Sequence, residues 1–217
     1  MVKVFIVHCT KRNGVNSPFK SQPEREQDRD NKREAVLQAA VRLFNDRGFG
    51  ATSLEEVAMS LKISKPTIYY YLGNKERVLL ECVTRGLKQL QEAARAARDS
   101  HGQAAARLQS FMIHYACINM SDFGRCIHRT QYHDLSPDGA AEFRRMKRMV
   151  DVELRHLLEE AVADGSIAPC DIKFTAFAIA GALNGPAFWF DPLGTLAAED
   201  VARALVEFLI AGLAPRT

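Results

Sequence analysis

The chain has 217 residues, 47% of them hydrophobic and 25% charged, which is the composition of an ordinary globular protein. Its charge is uneven, because residues 1–90 carry 16 Lys and Arg against 10 Asp and Glu, whereas residues 91–217 carry 13 against 16. The scattered cysteines form no Cys-x-x-Cys pair, and no apolar stretch is long enough to cross a bilayer. We therefore expect a cytoplasmic protein without a disulfide framework or a membrane span, whose basic first part meets an anion.

Residues 1–29 are predicted to form a flexible N-terminal extension. The apolar run "VKVFIV" has no second strand to pair with, and the following "SPFKSQPEREQDRDN" is polar and contains proline. The helical pattern of apolar residues begins only at residue 31.

The helical spacing of apolar residues predicts an all-α protein of about nine helices. In the first helix, Val36, Ala40 and Phe44 share one face, and Gly48 provides the stop. The second helix is short and is capped by Ser53, with a Glu three residues later that completes a capping box.

The third and fourth helices follow at once. After "KIS", Ser64 can cap the segment "KPTIYYYL", whose Pro66 lies in the first turn, where a missing N–H costs nothing. "GNKE" interrupts the chain, and Asn74 caps a long fourth helix. Further helices are predicted at "AARLQSFMIHYACINM", at 136–164 between a Ser cap and a Gly stop, at 171–190 and at 197–212.

Two short helices joined by three residues are typical of the helix-turn-helix unit, whose second helix enters the major groove of DNA. In "KPTIYYYL", Ile68 and Leu72 are four residues apart and are expected to face the core. Tyr69 is the tyrosine most expected to pack, and Lys75 opens the next helix, where it can hold a phosphate. Hydroxyl and ammonium groups that suit phosphate oxygens then occupy the outward positions Lys65, Thr67, Tyr70 and Tyr71. The alternative is that this tyrosine-rich helix simply packs in a core.

The segment "AAVRLFNDRGFGATSLEEVAMSLKISKPTIYYYLGNKERVLLECV" carries a family pattern. Its matching positions are Phe44, Gly48, Phe49, Thr52, Ser53, Val57, Ala58, Ile63, Ser64, Thr67, Ile68, Tyr69, Tyr71, Leu72, Lys75 and Glu76. In these positions, residues 30–89 resemble the TetR family of bacterial transcriptional regulators. Leu72 stands where Phe is usual and stays apolar, and Pro66 stands where Gly and Pro alternate.

The resemblance implies a homodimer whose two reading helices lie about one turn of DNA apart, roughly 34–36 Å. It implies a double-stranded DNA operator and a small-molecule effector as partners. It assigns 30–90 to a three-helix DNA-binding domain, with the helix-turn-helix at 53–72, and 91–217 to a larger helical domain for ligand binding and dimerisation. At the DNA surface it places Thr52, Lys65, Pro66, Thr67, Tyr69, Tyr70, Tyr71 and Lys75, and the capping residues Ser53 and Ser64 complete the predicted set.

The last two predicted helices are the candidates for the dimer face, as the resemblance implies. The helix at 171–190 is apolar almost all round and is expected to be buried on more than one side. Small residues such as Ala176, Gly181 and Gly185 allow close approach of another helix. Ordinary packing inside one chain is the alternative.

An effector site needs apolar and aromatic residues with a few polar groups among them. The candidates are Phe111, His114, Tyr115, Ile118, Phe123, Met146, Asn184, Phe188 and Trp189, although such stripes are also typical of a core. The segment "DIKFTAFAIAGALN" is similar to regulators that sense acyl-CoA thioesters. An anionic effector could then use Arg125, Arg129, Arg144, Arg145 and Arg148, which are otherwise solvated helix positions.

Other functions find little support in the sequence. Cys126, His128 and His133 are close together but do not share a helix face and lack a carboxylate partner, so no metal site is predicted. No phosphate-binding loop, nucleophile arrangement or carboxylate pair is evident, so we expect neither an enzyme nor a cofactor. The predicted function is a ligand-responsive, DNA-binding repressor. The alternative is a helical scaffold that binds a protein through its tyrosines.

Overall fold

A computed structural model describes residues 22–214, and within that range every regular element is a helix. The all-α prediction is therefore confirmed, whereas most of the predicted flexible extension lies outside the described residues. In chain order the helices are α1 (Gln22–Arg47), α2 (Leu54–Ser60), α3 (Lys65–Leu72), α4 (Lys75–Asp99), α5 (Ala104–Met120), α6 (Asp122–Arg129), a 3₁₀ turn (Tyr132–Asp134), α7 (Pro137–Ala163), α8 (Ile172–Asn184), α9 (Pro186–Trp189) and α10 (Ala198–Leu213).

The first helix begins at Gln22, well before the predicted start at residue 31. Polar side chains one turn apart support this early part, since the Gln22 amide donates to Glu26 at 3.3 Å and Lys32 pairs with Asp28 at 2.9 Å. Such pairs stabilise a helix without any apolar face. Residues 22–29 are thus helical, and the spacing of apolar residues could not reveal it.

Helices α1, α2 and α3 surround a small core. Val57 and Ile68 are fully buried and Leu72 is nearly so, as the four-residue spacing in α3 predicts. The turn between α2 and α3 closes through a hydrogen bond from the Ile63 N–H to the Ala58 carbonyl at 3.0 Å. It also requires a left-handed backbone at Lys62, whose φ is 55°. The geometry is that of a helix-turn-helix unit.

The capping predictions are confirmed except at one position. Ser53 accepts from the Glu56 N–H, and the Glu56 carboxylate accepts from the Ser53 N–H at 2.7 Å, which completes the capping box. Asn74 accepts from the Arg77 N–H at 2.8 Å at the start of α4. Ser64 occupies the N-cap position of α3 but makes no capping bond, because its hydroxyl is bonded instead to the Thr67 hydroxyl at 2.8 Å.

The long helix α4 joins the helix-turn-helix unit to a larger helical body made of α5 to α10. Where α4 crosses α6, a Cβ on Gly86 would lie 2.8 Å from the Phe123 carbonyl oxygen, so only glycine allows this approach. In the body, Phe111, Phe143 and Leu157 are buried. These residues and the buried residues of α1 to α3 belong to one continuous apolar core that runs from α1 to α10.

The second half of the chain departs from the predicted helix boundaries in three places. Helix α6 was not anticipated; it begins after Ser121, whose hydroxyl accepts from the Gly124 N–H at 3.2 Å. The helix expected at 171–190 is divided into α8 and α9, because Pro186 lacks the N–H that would continue α8. The last helix passes through Gly212 and ends at Leu213.

Candidate nucleic-acid interface and ligand cavity

Helix α3 presents one polar and aromatic face to the exterior. Its inner face is held by Ile68 and Leu72, which are 0% and 2% exposed, so the opposite face must point away from the core. Tyr70 is 74% exposed and Tyr69 is 43% exposed. Tyr71 is the tyrosine that packs on the core, and its ring lies edge-on to that of Tyr70 with centroids 5.2 Å apart. The packing role predicted for Tyr69 from spacing was therefore wrong.

Two lysines flank this face. Lys65, at the first turn of α3, pairs with Glu55 of α2, and this hydrogen bond and charge raise the pKa of Lys65. Its ammonium also lies 5.8 Å from the centre of the Tyr69 ring. At the other end, the Lys75 ammonium lies 4.2 Å from the centre of the Phe49 ring. The outward face of α3 thus combines phenol hydroxyls with a fixed positive charge at each end.

Thr52 departs from the predicted DNA-binding set. It is 2% exposed, and its hydroxyl donates to the Gly48 carbonyl at 2.9 Å, where it satisfies the end of α1. Of the other predicted residues, Ser64, Pro66, Tyr69 and Tyr70 are exposed. Because its only hydroxyl is committed inside the fold, Thr52 contributes to the interface by holding the α1–α2 turn.

A cavity of about 150 Å³ lies in the body between α4, α5, α6, α7 and α8. This volume is below that of a site for a whole drug-sized molecule and suits a short apolar chain. Its apolar wall is formed by Leu87, Leu90, Tyr115, Ile127, Val150, Leu154 and Ala180, and its polar groups belong to His128, Lys147, Asp151 and Asn184. Burial and, second, the charge of Lys147 lower the pKa of His128 to about 4, so its imidazole is neutral at pH 7.

Helix α6 connects this cavity to the first helix. Ile127 and His128 line the cavity, while Asp122, at the other end of α6, accepts hydrogen bonds from Gln38 at 2.6 Å and Arg42 at 3.0 Å. The Asn45 amide donates to the Asp122 backbone carbonyl at 2.8 Å. We call Gln38, Arg42, Asn45 and Asp122 the α1–α6 latch. One short helix therefore lines the cavity at one end and contacts α1 at the other.

Two family models match the chain. The N-terminal region of bacterial regulatory proteins of the tetR family matches residues 36–82, and the tetracyclin repressor-like C-terminal domain matches residues 101–213. Together they cover both the helix-turn-helix unit and the cavity-bearing body. The chain belongs to the TetR family. As a TetR-family transcriptional regulator it has the helix-turn-helix at its N-terminus and a helical domain after it.

Relatives of known structure or curated function agree with this assignment. The transcriptional repressor KstR2 of Mycolicibacterium smegmatis is 25% identical over 84% of this chain and 90% of its own length. The structure of PfmR from Thermus thermophilus superposes with a TM-score of 0.75 at 28% identity, covering 83% of this chain and 99% of PfmR. AibR, solved in complex with isovaleryl coenzyme A and operator DNA, superposes with a TM-score of 0.71 at 26% identity over 82% and 98% of the two chains.

The cavity of this TetR-family chain contains only two of the nine residues predicted for an effector site, Tyr115 and Asn184. Three of the others are buried in the core: Phe111, Phe123 and Met146. His114 and Ile118 lie on other faces of α5, and the His114 Nδ1 is 2.8 Å from the Ser110 carbonyl oxygen. Phe188 and Trp189 are 60% and 57% exposed. Seven of the nine predicted residues therefore lie outside the cavity, in the core or toward the surface.

Sequence reasoning missed the residues that α4, α6 and α7 bring to the cavity. His128 was considered only as a metal ligand, and among the residues that the structure describes no cluster of His, Cys, Asp and Glu could hold a metal ion. Of the arginines considered for an anionic effector, Arg129 donates to the Asn45 carbonyl and Arg145 pairs with Glu142 at 2.7 Å. Over residues 22–214, no helix is long and apolar enough to span a membrane.

Proposed function

We propose that this regulator is a homodimeric repressor that binds a specific operator through α3 and leaves it when a small hydrophobic or acyl-CoA-like effector occupies the cavity. One observation carries the DNA-binding part: α3 buries Ile68 and Leu72 and leaves Tyr69 and Tyr70 outside, between the charges of Lys65 and Lys75. A large exposed aromatic ring is costly on a free surface and is used when a partner covers it. A DNA-binding domain at 30–90 and an effector and dimer domain at 91–217 are part of this proposal.

The contacts that we assign to DNA divide by chemistry. Lys65 and Lys75 neutralise phosphates. Ser64 and Thr67 share one hydrogen bond between their hydroxyls, and the hydroxyl whose proton is left free donates to a phosphate oxygen near the start of α3. Tyr70, the most exposed of the three tyrosines of α3, is assigned to base edges or sugars. Tyr69 supports it from the same face. Ser53 and Pro66 shape the turn that carries these groups.

A second copy of the chain is the partner that we propose for α8 and α10. In the single chain, only Ala176, Ile179 and Leu183 of α8 are buried, although its sequence is apolar on all sides. Large apolar side chains remain exposed along this region, namely Phe174, Phe177, Trp189, Leu196 and Phe208. Trp189, Leu196 and Phe208 line one apolar groove. Burial of such a surface in a dimer removes it from water and sets the distance between two copies of α3.

The cavity supports an effector with an apolar body. Its wall is mostly aliphatic, and AibR, a relative with the same fold, is known in complex with isovaleryl coenzyme A and operator DNA. Outside the cavity, Arg144 and Arg148 are exposed on α7 close to Lys147. These cations suit the phosphates of a coenzyme A moiety whose acyl chain enters the cavity.

Helix α6 is the route by which we propose that the effector acts on α3. A ligand that contacts Ile127 and His128 displaces α6, and the α1–α6 latch passes this displacement to α1. Helix α1 packs directly on α2 and α3. An effector that favours the displaced arrangement therefore shifts the population away from the spacing that fits two major grooves.

Operator binding by the full-length protein at increasing salt tests this proposal. Each neutralised phosphate contributes about −0.9 to the slope of log affinity against log salt, so a dimer with two copies of α3 should show a steep loss of affinity. The complex should contain two chains per operator, as sedimentation of labelled DNA will show. A flat salt response, or a single chain on the DNA, would contradict the proposal and favour a protein-binding scaffold.

A further inference from the structure

The side-chain amide of Asn184 is held in one orientation in the cavity wall. Its Oδ1 accepts from the Tyr115 hydroxyl at 3.1 Å and from the Asn119 Nδ2 at 3.0 Å. The same Asn119 nitrogen donates to the Leu183 carbonyl at 3.1 Å, which fixes the orientation of Asn119 in turn. Because two donors meet Asn184 at one atom, that atom must be the oxygen. The Asn184 NH₂ group is then the part that is left to donate.

His128 contributes a second polar group to the cavity. Its Nε2 is buried and has no hydrogen-bond partner among the residues that the structure describes. With its pKa lowered to about 4, the imidazole is neutral and carries one N–H donor at pH 7. A buried polar nitrogen without a partner destabilises the free protein, so a ligand group that pairs with Nε2 gains from it. We assign the N–H of the neutral ring to Nε2, so the ligand group must be an acceptor.

The loss of water, more than the charges that face the cavity, favours a neutral ligand group over an anion. Two charged side chains line the cavity, Lys147 and Asp151, both from α7; the lining residues of α4 and α5 and Ala180 of α8 carry no charge. Lys147 would attract an anion, and Asp151, which is paired with Arg155 at 2.8 Å, would repel it. A carboxylate brought into this mostly apolar space would still lose its water. A carbonyl oxygen accepts hydrogen bonds without that cost.

We propose that the Asn184 amide and the His128 imidazole together bind a carbonyl oxygen in an otherwise apolar ligand. The effector is then a compound whose apolar chain carries a neutral carbonyl group, either the thioester of an acyl-CoA or an aliphatic ketone. A fatty acid, or an alkyl compound without the carbonyl, binds more weakly. This inference rests on the proposed function, since it takes the cavity as the effector site.

Two coenzyme A derivatives that differ only in the carbonyl test the idea. Octanoyl-CoA is a thioester, and S-octyl-CoA is the thioether with the same chain and the same phosphates. Titration calorimetry with the full-length protein should show octanoyl-CoA binding about tenfold more tightly, the value of two hydrogen bonds of about 0.7 kcal/mol each. Methyl heptyl ketone and octanoate, which lack coenzyme A, compare a ketone with a fatty acid directly. The ketone should bind, and the acid should bind at least tenfold more weakly than the ketone. Equal affinity for the thioester and the thioether, or preference for the acid, overturns the proposal.

The variants Asn184→Asp and His128→Phe link the preference to these two side chains. An Asp at 184 has the same shape and still accepts from Tyr115 and Asn119, but it turns an oxygen instead of an NH₂ group toward the ligand. Each variant should lower the preference for octanoyl-CoA over S-octyl-CoA from about tenfold to about threefold, because one of the two donors remains, and should leave the affinity for the thioether within about twofold. The matched control is His114→Phe, an exposed histidine on α5 outside the cavity, which should retain the tenfold preference.

Operator binding without any ligand separates the two proposals. If the wild-type protein binds operator DNA but neither thioester nor ketone, the carbonyl inference fails and the DNA-binding function stands. If the ligands bind with the expected preference but no DNA is bound, the carbonyl inference stands and the DNA-binding function fails. Should Asn184→Asp fail to fold, as seen by circular dichroism, His128→Phe alone decides, and a thioester preference that stays at its full tenfold value in this variant refutes the role of the imidazole.

Discussion

The outward face of α3 and the cavity of the body are two candidate sites that the chain builds in different ways. The face of α3 comes from one short helix, and two buried residues, Ile68 and Leu72, decide which side chains point outward. The cavity is assembled from five helices, and its polar groups come from positions as far apart as His128 and Asn184. A surface site can therefore lose its side chains without loss of the fold, whereas a cavity between helices uses the same residues for binding and for packing.

The largest effect is expected at the surface site. Tyr70→Ala combined with Lys75→Ala should lower operator affinity about ten-thousandfold, because each of the two copies of α3 in the dimer loses two contacts of about 1.4 kcal/mol each. The melting temperature should stay within a few degrees, since Tyr70 is 74% exposed. Gel shift and circular dichroism measure the two quantities. Lys88→Ala with Tyr132→Ala is the matched control, and unchanged operator binding in the first double variant would mean that the reading helix lies elsewhere.

Unlike the surface site, the cavity should affect folding: the free energy of unfolding should depend on the protonation of one cavity residue. His128 is neutral in the folded protein down to pH of about 4, whereas an exposed imidazole takes up a proton near pH 6.5. Because the unfolded chain then binds more protons, the free energy of unfolding should fall by roughly 3 kcal/mol as the pH falls from 6.5 to 4. Urea unfolding across this range measures it, and His128→Phe should remove this component while His114→Phe keeps it. Parallel profiles for the wild type and His128→Phe would contradict the buried neutral imidazole.

The α1–α6 latch lies between the two regions and should behave as a link. Asp122→Ala removes the acceptor of Gln38 and Arg42, and the amides of Gln38 to Asn45 should then exchange about tenfold faster with deuterium, equivalent to about 1.4 kcal/mol of local stability. Asp138→Ala, on the exposed start of α7, is the control. If exchange in α1 does not change, the latch does not hold the two regions together.

The smallest effect concerns the turn that positions α3. Lys62 has a φ of 55°, which costs a side-chain-bearing residue roughly 1 kcal/mol relative to glycine. Lys62→Gly should therefore raise the free energy of unfolding by up to about 1 kcal/mol, and Lys62→Asn should raise it by less. Thermal unfolding measures both. A loss of stability in Lys62→Gly would show that the lysine side chain supports the turn by a contact of its own.

The elements that could be predicted are those with strong local signals. The capping box of Ser53 and Glu56, the Asn74 cap and the apolar pair of α3 lie within a few residues of one another, so local hydrogen bonds and spacing suffice. Helix α6 was missed because its eight residues are too few for a long apolar stripe. The break at Pro186 was missed because the apolar residues on both sides of it form one continuous pattern. Seven of the nine candidate pocket residues do not line the cavity, for a related reason. Aromatic residues at helical spacing occur in a core, on a dimer face and around a ligand, and their local pattern is the same in all three.

The sequence by itself determined the all-α class, the helix-turn-helix unit and the family, because turns, caps and a four-residue apolar period depend on neighbours along the chain. Only the tertiary structure decided that Thr52 is buried, that Tyr71 and not Tyr69 packs on the core, and that His128 and Asn184 line one cavity. These facts depend on which helices cross and how closely, as at Gly86, where the missing Cβ lets α6 lie against α4. Contacts of that kind join residues distant along the chain, and their physical cause is the packing of the whole core.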